Sequence, residues 1–97
     1  MGTVPFPDQP RRPYERMEIE SYPDDRRGVY GLFDDAGCVF IGKGRIRERL
    51  LAHLKGGVTE TERCIRANPP TYWLVEETGD FVVRHMGLSV EYDPRCR

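Results

Sequence analysis

Polar side chains near the middle of the sequence have the types and the spacing for contact with a phosphate group. Arg45, Arg49 and His53 recur every four residues, so on a helix they would point the same way along one stripe. Lys43 and Arg45 follow Gly42 in a glycine-flanked segment, where a phosphate backbone can come close. The planar guanidinium suits bidentate contact with phosphate. A solvated helix face carries the same kind of charge run, and both interpretations stay open.

The charge of the whole chain does not by itself indicate a nucleic-acid partner. Fifteen basic and sixteen acidic residues give a formal net charge of −1. The basic residues are nevertheless concentrated: residues 43–55 contain five of them and one acidic residue, Glu48. DNA is therefore one candidate partner, and a protein is the other, which the slightly acidic balance favours.

Length and composition exclude several classes of protein. Ninety-seven residues, 38% of them hydrophobic, predict one domain with a modest core. The apolar stretches are far shorter than the roughly 20 residues that cross a bilayer, and the N-terminus has no apolar secretion signal. A membrane partner is not expected. Cys38, Cys64 and Cys96 form no Cys-x-x-Cys pair, which predicts reduced thiols in a cytoplasmic protein and no structural zinc.

Residues 28–42 predict a β-hairpin. Two runs rich in strand formers, 29–33 and 38–41, flank a turn in which Gly37 is expected to form a bulge after a three-residue loop. That loop would put Tyr30 and Phe40 on one face of the hairpin. The other face would then be an apolar patch of Val29, Phe33, Val39 and Ile41.

Helices and one further strand are expected after the hairpin. Residues 42–45 read as a flexible turn, and apolar residues at helical spacing over 46–54 predict a helix. A second helix should begin at Thr59, since Glu62 three residues later completes a capping box. A third strand is expected over 71–76. The segment 81–92 is compatible with a strand or a helix, and we favour the helix.

The N-terminal segment is expected to lie outside this arrangement. Residues 1–18 are rich in proline and predict a partly disordered tail. Within it and just beyond, residues 15–20 alternate polar with apolar side chains, which suits a short edge strand or an extended arm that packs Met17 and Ile19.

The predicted order of strand, strand, helix, helix, strand and helix is an α+β plan. It contains Gly28-Val29-Tyr30, then Phe40-Ile41-Gly42 with Lys43-Gly44, and then Arg49 followed four residues later by His53. With these motifs, residues 19–97 resemble the GIY-YIG nuclease superfamily. The resemblance implies a small three-stranded antiparallel sheet flanked by helices in the order ββααβα.

The resemblance also implies an activity, the hydrolysis of a DNA phosphodiester with one divalent metal such as Mg²⁺ or Mn²⁺. A tyrosine at the place of Tyr30 helps activate water in that family, and an arginine at the place of Arg49 stabilises the charge on the phosphate. Tyr30, Arg49 and His53 are therefore the candidate catalytic residues. Lys43 and Arg45 are the candidate substrate-binding residues.

Three positions depart from the family pattern. Phe40 replaces the second tyrosine, His85 stands where a metal-binding glutamate is expected, and Arg97 stands where an asparagine is expected. No metal ligand is therefore assigned, since a neutral imidazole favours zinc or another transition metal over Mg²⁺. Candidates for a relocated carboxylate are Glu76, Glu77 and Glu91.

The sequence thus predicts a nuclease-like domain that contacts DNA phosphodiesters and whose catalytic activity is weak or lost. The alternative is a non-catalytic module on the same fold that binds nucleic acid or a protein. An enzyme that uses another metal through His85 is a third, less favoured hypothesis.

Overall fold

The computed structural model describes residues 4–97, which form an α+β fold with one four-stranded antiparallel sheet. The strand order is β1-β4-β2-β3. The α+β class is confirmed, but the expected three strands in the order ββααβα miss β1 and α1, which precede them. The elements are β1 Arg12–Pro13, α1 Arg16–Glu20, β2 Arg27–Asp34, β3 Gly37–Arg45, α2 Ile46–Lys55, α3 Glu60–Ala67, β4 Tyr72–Glu77 and α4 Phe81–Tyr92.

The hairpin of β2 and β3 is present, but its turn differs from the prediction. Asp34 pairs with Gly37, so the loop has two residues, and the irregularity lies further along, where Leu32 pairs with Phe40 and the next residue pairs with Cys38. A bulge sets two residues of one strand against one of the other, which leaves Val39 unpaired. Val39 therefore lies in the core with Leu32, and its expected place in the opposite patch was wrong.

Each face of the sheet has its own hydrophobic core. Tyr30 and Trp73 are fully buried on the face covered by α1 and α2, together with Leu50. On the opposite face, α4 places Leu88 against Val29 of β2. Because α2 and α4 lie on opposite faces of the sheet and both contact β3, this strand has a helix on each side.

The N-terminal segment is packed against the sheet from Phe6 onward, where we expected a tail. Phe6 is 5% exposed and lies in the core beside α4. The side-chain amide of Gln9 donates to the carbonyl of Val75 at 2.8 Å and accepts from its N–H at 3.0 Å. This amide supplies ladder-like hydrogen bonds beside prolines that cannot donate. The part of the predicted tail in residues 1–3 lies outside the described residues.

Two other segments depart from the expected local structure. The predicted arm at 15–20 is helix α1, in which Ile19 is buried while Met17 is 82% exposed. The predicted turn at 42–45 instead continues β3, and Gly44 pairs with Gly28. Gly28 has to be glycine, because a Cβ there would lie 2.1 Å from the carbonyl oxygen of Glu76. Strand pairing thus extends to Arg45, the residue directly before α2.

The remaining elements agree with the sequence. Helices α2, α3 and α4 and strand β4 fall where they were expected, within a residue or two. The hydroxyl of Thr59 accepts the backbone N–H of Glu62 at 3.1 Å and caps α3 as predicted. Among residues 4–97, no helix has the length and apolar character needed to cross a bilayer.

The prediction of three reduced thiols was wrong. Cys64 and Cys96 form a disulfide with a Cα–Cα distance of 5.7 Å, and Cys38 is free and buried. The sequence gives no hint of the pairing, because the two cysteines are 32 residues apart and meet only once the C-terminal segment lies beside α3. Since disulfides are rare in cytosolic proteins, the cysteines no longer support a cytoplasmic location.

Reduction of the disulfide is expected to lower the free energy of unfolding by about 4 kcal/mol, since a cross-link between residues 32 positions apart restricts the unfolded chain. Thermal unfolding followed by circular dichroism with and without reductant measures the loss. The Cys64→Ser/Cys96→Ser variant should have the melting temperature of the reduced protein, and reductant should not change it. An unchanged melting temperature on reduction of the wild type would show that the bond adds nothing to stability.

Candidate functional site

The predicted catalytic residues converge on one cleft of about 610 Å³ beside the edge strand β3. Its walls come from β2 and β3, from α2 and the start of α3, and from α4 with the C-terminal segment. The residues that line it are Tyr30, Phe40, Ile41, Gly42, Lys43, Arg49, His53, Thr59, Thr61, Glu62, His85, Ser89, Pro94, Cys96 and Arg97.

Tyr30 enters the cleft from β2 and is held by close packing. Its ring lies over Gly42, where a Cβ would come within 2.2 Å of the phenol oxygen. Strand pairing sets Tyr30 opposite Gly42, so the glycine leaves the space that the ring fills. Burial raises the pKa of Tyr30 to about 12, although the positive charge of Arg49 opposes the shift. The phenol is therefore protonated at neutral pH.

His53 links the phenol to a carboxylate. The Oη atom of Tyr30 lies 2.6 Å from Nε2 of His53, and Nδ1 of His53 lies 2.7 Å from Oε1 of Glu62. An ionised carboxylate can only accept, so Nδ1 carries the proton, Nε2 accepts, and the phenol donates to it. The geometry therefore aligns phenol, imidazole and carboxylate in one chain of hydrogen bonds.

Burial keeps the imidazole of His53 neutral. Its side chain is 1% exposed, and burial lowers its pKa, while the hydrogen bond and the charge of Glu62 act in the opposite direction. Arg49 lowers this pKa further through its positive charge. At neutral pH, Nε2 therefore keeps a lone pair that can take a proton from Tyr30.

Arg49 and Lys43 supply positive charge at the mouth of the cleft. Both side chains belong to exposed residues that line it. Glu48, one position before Arg49 in the sequence, pairs with Arg45. Arg49 has no carboxylate partner within residues 4–97, which leaves its guanidinium available for an anion.

Arg45 is not brought to the cleft. It is the N-cap of α2, with extended backbone angles, so it falls outside the helical stripe that Arg49 and His53 share. Its guanidinium contacts Glu48 at 3.4 Å and donates to the carbonyl of Asp24 at 3.1 Å. The predicted alignment of three side chains therefore holds for two of them.

The three positions that depart from the family pattern also lie in the cleft. The ring of Phe40 packs edge-on against His53, with centroids 4.9 Å apart. His85 donates from Nε2 to the carbonyl of Ile41 at 3.1 Å, and burial together with Lys43 lowers its pKa. Arg97 is paired with Asp93.

The side chains of the cleft do not fit a divalent metal. Within residues 4–97 there is no cluster of three or more histidine, cysteine, aspartate or glutamate residues that could hold one. Nε2 of His85 is already bonded to a carbonyl, and one oxygen of Glu62 accepts from His53. A hard cation such as Mg²⁺ prefers carboxylate and other oxygen ligands, and Glu62 supplies the one side-chain carboxylate among the residues that line this cleft.

Sequence reasoning missed Glu62. It was assigned only a capping role. Its backbone N–H does donate to the capping hydroxyl of Thr59, but its carboxylate accepts a hydrogen bond from His53. The contact depends on the bend between α2 and α3, which no spacing in the sequence reveals. The three glutamates proposed as relocated ligands do not line the cleft: they are Glu76, which pairs with Arg84, Glu77, which contacts Tyr22, and Glu91.

Comparisons with known proteins returned no matching family model, no similar curated protein and no similar solved structure.

His53 is expected to titrate below its ordinary pKa of about 6.5, and NMR of the imidazole protons against pH measures this. Because the folded protein resists protonation of this ring, the unfolded chain binds more protons just below pH 6.5. Stability should therefore fall as the pH drops from about 6.5 toward the folded pKa, and the His53→Gln variant should lose part of that slope. A His53 that titrates at or above the ordinary value would contradict a buried neutral imidazole.

Proposed function

We propose that this chain is a GIY-YIG-like domain that binds DNA phosphodiesters in the cleft and whose power to cleave them is weak or lost. One observation carries the proposal: Tyr30, Arg49 and His53, predicted from the sequence, line a single cleft together with Lys43. A phenol, an imidazole and two exposed cations at one concave site are suited to a phosphate and to proton transfer beside it.

Charge supports an anionic ligand. The overall net charge of −1 does not attract DNA, but the exposed Lys43 and Arg49 concentrate positive charge at the cleft mouth. Phosphate oxygens accept two parallel hydrogen bonds from a guanidinium, which fixes the position of the ligand as well as holding it. We therefore assign Arg49 to a phosphate and Lys43 to the same or the adjacent one.

Two of the three departures from the family pattern support weak or absent cleavage. Phe40 lacks the hydroxyl that would help to position water, and His85 offers no carboxylate. The loss of one such donor typically costs about 3 kcal/mol of transition-state stabilisation, or about a hundredfold in rate. Cleavage that needs Mg²⁺ or Mn²⁺ would be impaired further, because Glu62 is the one side-chain carboxylate that lines the cleft and it is bonded to His53.

The alternative is a non-catalytic module that binds a protein, and one observation favours it. Four large apolar residues of α4 are between 56% and 74% exposed, and they form what we call the α4 apolar face: Val82, Val83, Met86 and Val90. Exposed apolar patches of this kind often mark contact surfaces. The face lies outside the lining of the cleft, so a protein partner there would be compatible with DNA in the cleft.

The Arg49→Ala variant should bind a short duplex about tenfold more weakly than the wild type in fluorescence anisotropy, because a charged contact to phosphate is worth about 1.4 kcal/mol or more. Its affinity should also depend less on salt, with a slope lower by about one. Arg45→Ala is the matched control, since it removes the same charge outside the cleft and should change affinity much less. Equal losses in both variants would place the DNA elsewhere.

The Phe40→Tyr/His85→Glu variant should cut plasmid or branched DNA in Mg²⁺ or Mn²⁺ at least about a hundredfold faster than the wild type, because it restores the hydroxyl and a carboxylate. Gel electrophoresis measures the cutting, and adding Tyr30→Phe or Arg49→Ala to the variant should abolish it. If the restored variant binds DNA and still does not cut, the domain is a binding module rather than an impaired nuclease.

A further inference from the structure

We propose that Glu62 is a positioning residue: it holds His53 in the tautomer that presents the Nε2 lone pair to the hydroxyl of Tyr30. The His53–Glu62 pair is then the proton acceptor for the phenol in the cleft. The inference deepens the proposed function and rests on it for the identity of the ligand. The hydrogen-bond geometry on which it stands belongs to the free protein.

The direction of each hydrogen bond follows from the chemistry of the three groups. Oε1 of Glu62 accepts from Nδ1 of His53 at 2.7 Å, so the proton of the neutral ring is on Nδ1. Nε2 is then the acceptor, and it lies 2.6 Å from the hydroxyl of Tyr30. If Glu62 were absent, the ring could move its proton to Nε2, and that nitrogen could no longer accept.

Capping of the helix does not explain where this carboxylate lies. In a capping box the glutamate would return a hydrogen bond to the backbone N–H of Thr59, and here it turns to His53 instead. The side chain of Glu62 is 15% exposed, and its second oxygen is buried without a partner among the described residues. Burial of a carboxylate with one oxygen unpaired is costly, so the contact with His53 is not gained for stability alone.

Among the groups around His53, only the carboxylate of Glu62 favours proton acceptance by the ring. The groups that face the ring are the phenol of Tyr30 on β2, the ring of Phe40 on β3, the guanidinium of Arg49 on α2 and Glu62 on α3. Burial and Arg49 both disfavour an imidazolium, and Glu62 is the group that favours it. A carboxylate that accepts a hydrogen bond from one ring nitrogen of a histidine raises the basicity of the other nitrogen.

The proton transfer is balanced within the chain. The O–H bond of Tyr30 breaks and an N–H bond forms at Nε2 of His53, which gives a phenolate and an imidazolium. The imidazolium is paired with the Glu62 carboxylate, and Arg49 lies close enough to lower the pKa of the phenol. Tyr30 lines the cleft but is 0% exposed, so the phenolate oxygen lies just beneath its surface, and the reverse transfer restores both neutral groups.

The tautomer is measured by two-bond ¹⁵N–¹H NMR of the His53 ring in the free protein, since protonated and unprotonated ring nitrogens resonate in separate ranges. The wild type should carry its proton on Nδ1. Glu62→Leu should shift the ring toward the Nε2-protonated tautomer. Glu62→Gln keeps an acceptor oxygen without the charge, so it should keep the tautomer and lower the pKa of His53. Glu60→Gln, on the exposed first turn of the same helix, is the matched control and should change neither quantity.

Proton on Nδ1 in Glu62→Leu, or an unchanged pKa of His53 in Glu62→Gln, would overturn the proposal. The amide spectrum checks that each variant is folded, and the Gln variant keeps the test decisive where the Leu variant does not fold. The outcome is independent of DNA: loss of DNA binding by the wild type would remove the proposed function and leave the role of Glu62 intact. If the wild type binds DNA in the cleft and the tautomer is unaltered in Glu62→Leu, the proposed function stands and the role of Glu62 is excluded.

Discussion

The buried hydrogen bond between Tyr30 and His53 is the interaction on which the site depends. It joins the first strand of the hairpin to the helix that follows it, with 2.6 Å between phenol oxygen and ring nitrogen. Neither group is solvated, so each needs the other to satisfy its hydrogen-bonding capacity. Because Gly42 leaves room for the phenol and α2 aims His53 at it, the fold and the chemistry are fixed by the same contact.

Three of the parts that form the cleft supply its chemical groups, and each contributes a different property. The hairpin supplies the phenol, α2 supplies the imidazole and the exposed guanidinium of Arg49, and α3 supplies Glu62. The disulfide between Cys64 and Cys96 joins α3 to the C-terminal segment that forms another wall. The proton-accepting groups are buried while the cations are exposed, so a ligand phosphate can be attracted without water entering the hydrogen-bond chain.

The local parts of this arrangement were predictable, and the long-range parts were not. Apolar periodicity gave α2, and the Thr59 cap gave the start of α3, since both signals lie within a few residues. Gln9 beside β4 and the disulfide were missed, because each joins parts of the chain more than 30 residues apart. Glu62 was missed for another reason. The capping pattern correctly predicts the hydrogen bond of its backbone N–H to Thr59, but its side chain bonds to His53 on the preceding helix.

The most direct test of the account is to map the ligand onto the structure by recording amide chemical-shift changes in ¹⁵N-labelled protein during titration with a short DNA duplex. The account predicts that the largest changes fall at the cleft, at Gly42, Lys43, Arg49 and His53, with little change along the α4 apolar face. Changes confined to α4, or none at the cleft at saturating DNA, would contradict it.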